Sequence, residues 1–177
     1  MKNPLISQKN ESFESVRLSY REICAANAED IVRWRSDPAI YRYYRVPQPL
    51  TIKDHLKWYE NTYFNDLSRF DFIIIKKESL TPVGIVGIHS LNGNFGEVGY
   101  TIDTTFQGQG YATEAVNAIV SKYSKEGINV FHAEIHHENI ASIGVIEKCG
   151  FIFNKHLESG FLLYEKKDCH IESRLSY

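Results

Sequence analysis

The chain is poor in the features that would fix its class at once. It has three cysteines, Cys24, Cys149 and Cys169, widely spaced and without a CxxC pair, so neither a disulfide framework nor a zinc site is expected and all three read as reduced thiols. Cys149 has no neighbour that would activate it and reads as a small buried hydrophobe. Long apolar runs are also missing. Phe72-Ile73-Ile74-Ile75 is the longest near the middle, and Met1-Lys2-Asn3-Pro4 has no apolar stretch behind it, so neither a membrane span nor a secretion signal is expected and the chain reads as cytoplasmic. Nor does charge of one sign dominate. Twenty Lys and Arg against 22 Asp and Glu leave a formal net charge of −2, too balanced for a partner such as nucleic acid or an anionic membrane.

What is present suits one globular domain: 177 residues, 43% hydrophobic and 24% charged. Residues 1–14 are polar and aperiodic and read as a flexible leader, which leaves 15–177 as the single domain. Val16, Leu18 and Tyr20 alternate toward Ile23 as a half-buried strand. Asn27 is placed to cap a helix carrying Ile31, Val32 and Trp34 that stops before Asp37-Pro38. Thr51 and Asp54 resemble a capping box opening a second helix through Tyr63 and Phe64. Three β-rich stretches then form an antiparallel meander: Phe70 to Lys76, Val83 to Leu91 and, after Asn92-Gly93-Asn94, Phe95 to Ile102. A helix from Gly110 to about Glu126 ends at Gly127. A strand over Val130 to Ile135, a helix over Ile140 to Cys149 ended by Gly150, and a hairpin across Ser159-Gly160 complete a mixed α/β sheet.

The chemistry is concentrated where a strand runs through Tyr100, Thr101 and Ile102 into Gln107-Gly108-Gln109-Gly110 and then the helix start Tyr111-Ala112-Thr113. Glycines let the main chain approach a ligand, while the unpaired amides and dipole of a helix start attract an anion. Two phosphate loops do not fit: GxxxxGK[ST] has no lysine here, and a dinucleotide fingerprint lacks its third glycine and its acidic residue, with Val130 at that place.

Gln107-x-x-Gly110-x-Ala112 does match the Q/R-x-x-G-x-G/A pyrophosphate loop, and with it the chain resembles the GCN5-related N-acetyltransferase (GNAT) superfamily, in particular its branch acting on ribosomal-protein N-termini. The resemblance runs from Val16 to about Lys167 and includes Trp34-Arg35-Ser36-Asp37-Pro38, Glu97-Val98-Gly99-Tyr100, Asn139-x-x-Ser142 and Glu147-Lys148-Cys149-Gly150-Phe151. It implies a mostly antiparallel six- to seven-stranded sheet with helices on both faces and a splayed central strand pair. It also implies acetyl-CoA as cosubstrate, held by Tyr100, Thr101, Ile102, Gln107, Gly108, Gln109, Gly110, Tyr111, Ala112, Thr113 and Asn139, with no metal.

Acetyl transfer from a thioester needs a neutral amine, yet an α-amino group has a pKa of roughly 8 and a lysine one of roughly 10.4. The resemblance places an acidic residue, Glu97, toward the acceptor as the base, with Glu134 one strand over as the alternative and an exposed strand charge as the plain structural role. It places a backbone amide around Tyr100 to Ile102 at the thioester oxygen. Where the wider family often has a tyrosine before the Glu-Lys pair this chain has Ile146, so Ser142 is the candidate donor to the departing thiolate, against helix capping. Asn139 reads as a cofactor contact or an N-cap.

His132, His136 and His137 have no carboxylate at ligand spacing, so metal is not expected. His55, in a His-Leu-x-Trp pattern that also resembles amino-sugar acetyltransferases, reads first as a solvated helix histidine beside a core Trp58. Arg33, Arg35, Arg42 and Arg45 favour an acceptor carrying a carboxylate or phosphate. The acceptor is thus a protein N-terminus, an amino sugar or another small amine, and a non-catalytic acetyl-CoA sensor is the competing class. A monomer or homodimer is expected.

Overall fold

The computed structural model describes residues 10–168; Cys169 and positions 1–9 of the expected leader lie outside them. One eight-stranded sheet runs in the order β1 (Ser12–Glu14), β2 (Leu18–Glu22), β3 (Phe70–Lys76), β4 (Pro82–Asn92), β5 (Phe95–Ile102), β6 (Val130–His136), β8 (Phe161–Lys167), β7 (Ile152–His156). Neighbours are antiparallel except β5 and β6, which are parallel and joined by helix α4 (Tyr111–Lys125), as a parallel pair requires a crossover. Helices α1 (Ala28–Arg35), α2 (Pro38–Tyr41) and α3 (Ile52–Asn61) precede the sheet's centre, and α5 (Ile140–Lys148) follows β6.

The apolar run in β3 is continuous because both faces of the sheet are covered. Phe70, Phe72 and Ile74 point into the larger core with α4 and the buried Ile146 of α5, while Ile73 and Ile75 meet Ile31, Trp34 and Tyr63 on the α1–α3 side. The same alternation along β5 sends Val98 and Ile102 to the large core and leaves Glu97, Gly99 and Thr101 on the α1–α3 face.

The β5–β6 ladder is short. Its pairs run from Phe95↔Val130 to Glu97↔His132 and stop, although β5 continues to Ile102 and β6 to His136. The two central strands therefore splay beyond Glu97, as the resemblance implies.

Several expectations need correction. The sheet has eight strands rather than six or seven, because Ser12–Glu14, assigned to the leader, pairs with Ser19–Arg21 at the sheet edge; a three-residue strand is too short to show a period. Val16 is 90% exposed and belongs to the β1–β2 turn, not to the strand. Asn27 stands at the start of α1 without capping it through its side chain, and Asp37 instead caps the short α2 by accepting from Ala39 N–H. The second helix ends at Asn61, and Tyr63–Asn65 forms a separate 3₁₀ turn. His55 is buried, not solvated.

Candidate functional site

Gly108 and Gly110 have φ of +75° and +80°, a left-handed conformation that glycine adopts without a Cβ penalty. Gly110 stands at the N-cap position of α4 and has no side chain with which to cap it. Glu114 N–H is satisfied by Gly110 C=O at 3.1 Å. The amides of Tyr111, Ala112 and Thr113 have no acceptor among the described residues, so three donors and the helix dipole converge on one spot. No heavy atom lies within 4 Å of a Cβ built at Gly108. The loop is thus an open cradle whose donors suit an anion.

The remaining loop residues brace it. Gln107 Nε2 donates to Ile102 C=O at 3.0 Å, and Gln109 C=O accepts from Arg17 Nη1 at 3.0 Å. Arg17 also binds Glu114 through Nε at 2.6 Å and through its backbone N–H at 2.7 Å, and covers the Tyr111 ring. Burial opposes ionisation of Glu114, but Ser15 and Arg17 outweigh it and hold the carboxyl below its ordinary range. Ala112 packs against the large core, and Thr113 C=O accepts from the Cys149 thiol. Burial pushes that thiol up to about 11, which suits an inert core residue.

At the other end of the loop Asp103, 4% exposed, accepts from Trp34 Nε1 at 2.9 Å, from Thr105 N–H and hydroxyl, and from Arg33. Burial raises its carboxyl, yet these donors together hold it well below the usual range. Its stabilisation is therefore complete above about pH 4, where an unfolded aspartate ionises, and is lost as pH falls through the folded value. Asp103→Asn is expected to cost about 3 kcal/mol at pH 7 and to flatten the acid limb of stability. Urea titrations of both proteins between pH 2.5 and 7 check this; parallel curves would remove Asp103 from the acid response.

At the start of α5 the structure decides which of the two expected caps is used. Asn139 Oδ1 accepts from Ser142 N–H at 3.2 Å, so Asn139 is the cap and the Ser142 hydroxyl is not. The Asn139 side-chain nitrogen has no hydrogen-bond acceptor among the described residues. Tyr100, on the large-core face, donates to Ser142 C=O at 3.0 Å and ties β5 to α5. Asn139→Ala is expected to cost about 1 kcal/mol, whereas Ser142→Ala leaves the melting temperature nearly unchanged. Equal losses in thermal melts of the two variants would overturn this division.

On the α1–α3 face Glu97 is half-buried beside the splay. Burial first, and the like charge of Glu134 second, push its carboxyl up, while His89, Arg45 and His132 oppose. Glu134 is paired with Arg45, whose guanidinium also lies over Phe161. Tyr44 and Thr101 hydroxyls share a hydrogen bond at 3.0 Å, so the loop carrying Arg45 is laid across both strands of the open pair. The arginines expected to meet an anionic acceptor are otherwise engaged: Arg33 with Asp30 and Asp103, Arg45 with Glu134, Arg42 over Tyr43 and Arg35 over Tyr44. His132 Nε2 lies 3.1 Å from Glu165 Oε2 on β8, and no group of three metal-ligating side chains occurs among the described residues. In the same residues no helix is long and apolar enough to cross a membrane.

Sequence patterns did not indicate Arg17, Asp103, Tyr44, Asp71 or His89. Each works through a partner distant in sequence, so no local spacing could have shown it.

The sheet thus opens beside a helix start whose free amides suit an anion. The sequence matches the acetyltransferase (GNAT) domain family over residues 17–152, and the chain belongs to that family. An uncharacterized protein of Methanocaldococcus jannaschii is 29% identical over 156 residues, which cover 86% of this chain but 31% of that relative, so the chain spans about a third of its length. Two solved structures share the fold. The spermidine N-acetyltransferase of Vibrio cholerae, in complex with CoA and spermine, has a TM-score of 0.74 at 18% identity, covering 84% of this chain and 93% of its own. The RimL ribosomal L7/L12 α-N-protein acetyltransferase, in complex with coenzyme A, has a TM-score of 0.72 at 17% identity, covering 89% and 98%.

Proposed function

We propose that this protein transfers an acetyl group from acetyl-CoA directly to a primary amine, and that the acceptor is the α-amine of a protein N-terminus. The observation that carries the transfer is the splay of β5 from β6 beside the three unpaired amides of Tyr111, Ala112 and Thr113. The amides take the pyrophosphate, the open flank of β5 takes the pantetheine arm with the Asn139 side-chain nitrogen, and the thioester then reaches the level of Gly99 to Thr101. Coenzyme A in the RimL and spermidine enzymes of the same fold supports this cosubstrate.

Glu97 draws the ammonium form of the acceptor and takes its proton, directly or through water. The freed amine attacks the thioester carbonyl, whose developing charge is met by a backbone amide of β5. Ser142 stands at the start of α5 to protonate the departing thiolate; Ile146, in the place of the usual tyrosine, is fully buried and has no proton to give. Support for a protein N-terminus comes from the ribosomal-protein resemblance and the RimL fold. The internal pairing of Arg33 and Arg45 takes two of the four arginines from the sequence-based support for an acceptor carrying a carboxylate or phosphate.

The test is thiol release from acetyl-CoA with free and N-formylated peptides, spermidine, glucosamine and lysine as acceptors. Release with free-N-terminus peptides alone is expected. Release only with a small amine would overturn the acceptor, and none with any amine would overturn the transfer.

A further inference from the structure

Behind Glu97 lies a buried side-chain chain that the proposed reaction leaves unused. Asp71 of β3 is 3% exposed, with Oδ2 2.6 Å from Arg69 Nε and Oδ1 2.9 Å from His89 Nε2. His89 of β4 is the register partner of Glu97, and Gly87 is that of Gly99. The imidazole lies over this glycine pair. A Cβ at Gly87 would stand 2.7 Å from His89 Nε2 and overlap Asp71 Oδ1, and one at Gly99 would stand 3.2 Å from Cε1 and 3.7 Å from Nδ1. The two glycines thus vacate the acceptor face for the ring.

Burial of Asp71 would raise its carboxyl, but His89 and Arg69 hold it well below the usual range, so Asp71 is an anion and, whenever the His89 ring is neutral, keeps its one proton on Nε2. The lone pair is then on Nδ1, at the Gly99 end. Nδ1 has no hydrogen-bond partner among the described residues.

We propose that His89, aligned by Asp71, shares with Glu97 the proton removed from the acceptor amine. This rests on the transfer reading above. A second basic nitrogen beside Glu97 adds proton affinity that a carboxylate, even one raised by burial, lacks toward an α-amine of roughly 8. In balance, the ammonium loses one proton to the Glu97–His89 pair, the N–C bond forms and the C–S bond breaks. The second N–H proton goes to the thiolate, and the pair returns its proton to solvent. Because the two groups titrate together, the kinetic pKa belongs to the pair. The charged groups facing it are Asp71 and Arg69 from the β3 side, His132 and Glu134 from β6, Arg45 from the α2–α3 loop and His55 from α3, all near His89, Glu97 or Asp71.

The experiment joins kinetics to ¹⁵N NMR of the histidine rings. His89→Gln, which can still donate to Asp71, is expected to lower kcat/KM at pH 6.5 by roughly a hundredfold, to move the acid limb of the profile downward, and to leave CoA affinity unchanged. Wild-type turnover with an unmoved limb in the variant overturns the inference and leaves the transfer reading intact. Without substrate, His89 is expected as the Nε2–H tautomer, with a titration midpoint that shifts in Glu97→Gln. An Nδ1–H tautomer, or a midpoint indifferent to Glu97, overturns the inference whether or not turnover is found.

Discussion

Glu97→Gln is expected to lower turnover by roughly two orders of magnitude near pH 6.5, the size typical of losing a positioned proton acceptor. Glutamine keeps the length and shape of the side chain, so strand β5 and the register with His89 should persist, and the change isolates charge and proton affinity. The deficit should narrow as pH rises, because an α-amine of roughly pKa 8 increasingly arrives neutral and needs no base. Burial and Glu134 both push the Glu97 carboxyl up, so the wild-type acid limb should lie above that of an exposed glutamate. A pH series of kcat/KM for both proteins is the measurement, with CoA affinity followed in parallel as the control. A variant whose profile overlays the wild type would pass the role to Glu134 or to solvent.

The second large effect belongs to the cradle. Gly110→Val places a β-branched residue at φ +80°, a region closed to it, and its Cβ would lie 3.3 Å from the Arg17 guanidinium. The chain must leave this conformation, which turns the first amides of α4 away from their common focus and disturbs the contact of Arg17 with Gln109. An anion held by three backbone donors and a helix dipole loses most of that interaction when the donors diverge. CoA affinity is expected to fall at least tenfold, about 1.4 kcal/mol, with a stability loss of 1–3 kcal/mol of the kind roughly seen for strained backbone positions. Calorimetric titration with CoA and a denaturant curve measure the two separately. Unchanged affinity would detach the loop from cosubstrate binding.

The parts of this protein that were legible in its sequence are those governed by short-range rules. Gly127 and Gly150, at φ +92° and +81°, end α4 and α5 where glycine signals placed the ends, and the β-branched meander from Phe70 to Ile102 appeared with nearly the observed limits. The glycine turn that opens α4 was legible for the same reason, since Gly108 and Gly110 are contiguous with the helix. Asn139 and Ser142 show the limit: both belong to one helix start, but which of them caps it is decided by geometry that the two residue types share. His55 was placed in solvent because nothing in its own helix reveals Arg35 and the sheet closing over it; there burial and the Arg35 charge push its imidazole down, toward the neutral form. Arg17 and Glu114 are 97 positions apart and Trp34 and Asp103 69 apart, distances over which only folding, not spacing, brings partners together.

The parting of β5 and β6 has a consequence for inhibitor design. Past Glu97↔His132 no strand among the described residues continues the ladder between them, so the flanks of both strands offer backbone donors and acceptors to whatever enters. Polar main-chain groups covered without a partner cost roughly 1–3 kcal/mol each. A greasy molecule of the right width would therefore be penalised in this cleft, and compounds that compete there need amide groups spaced like those of an extended peptide.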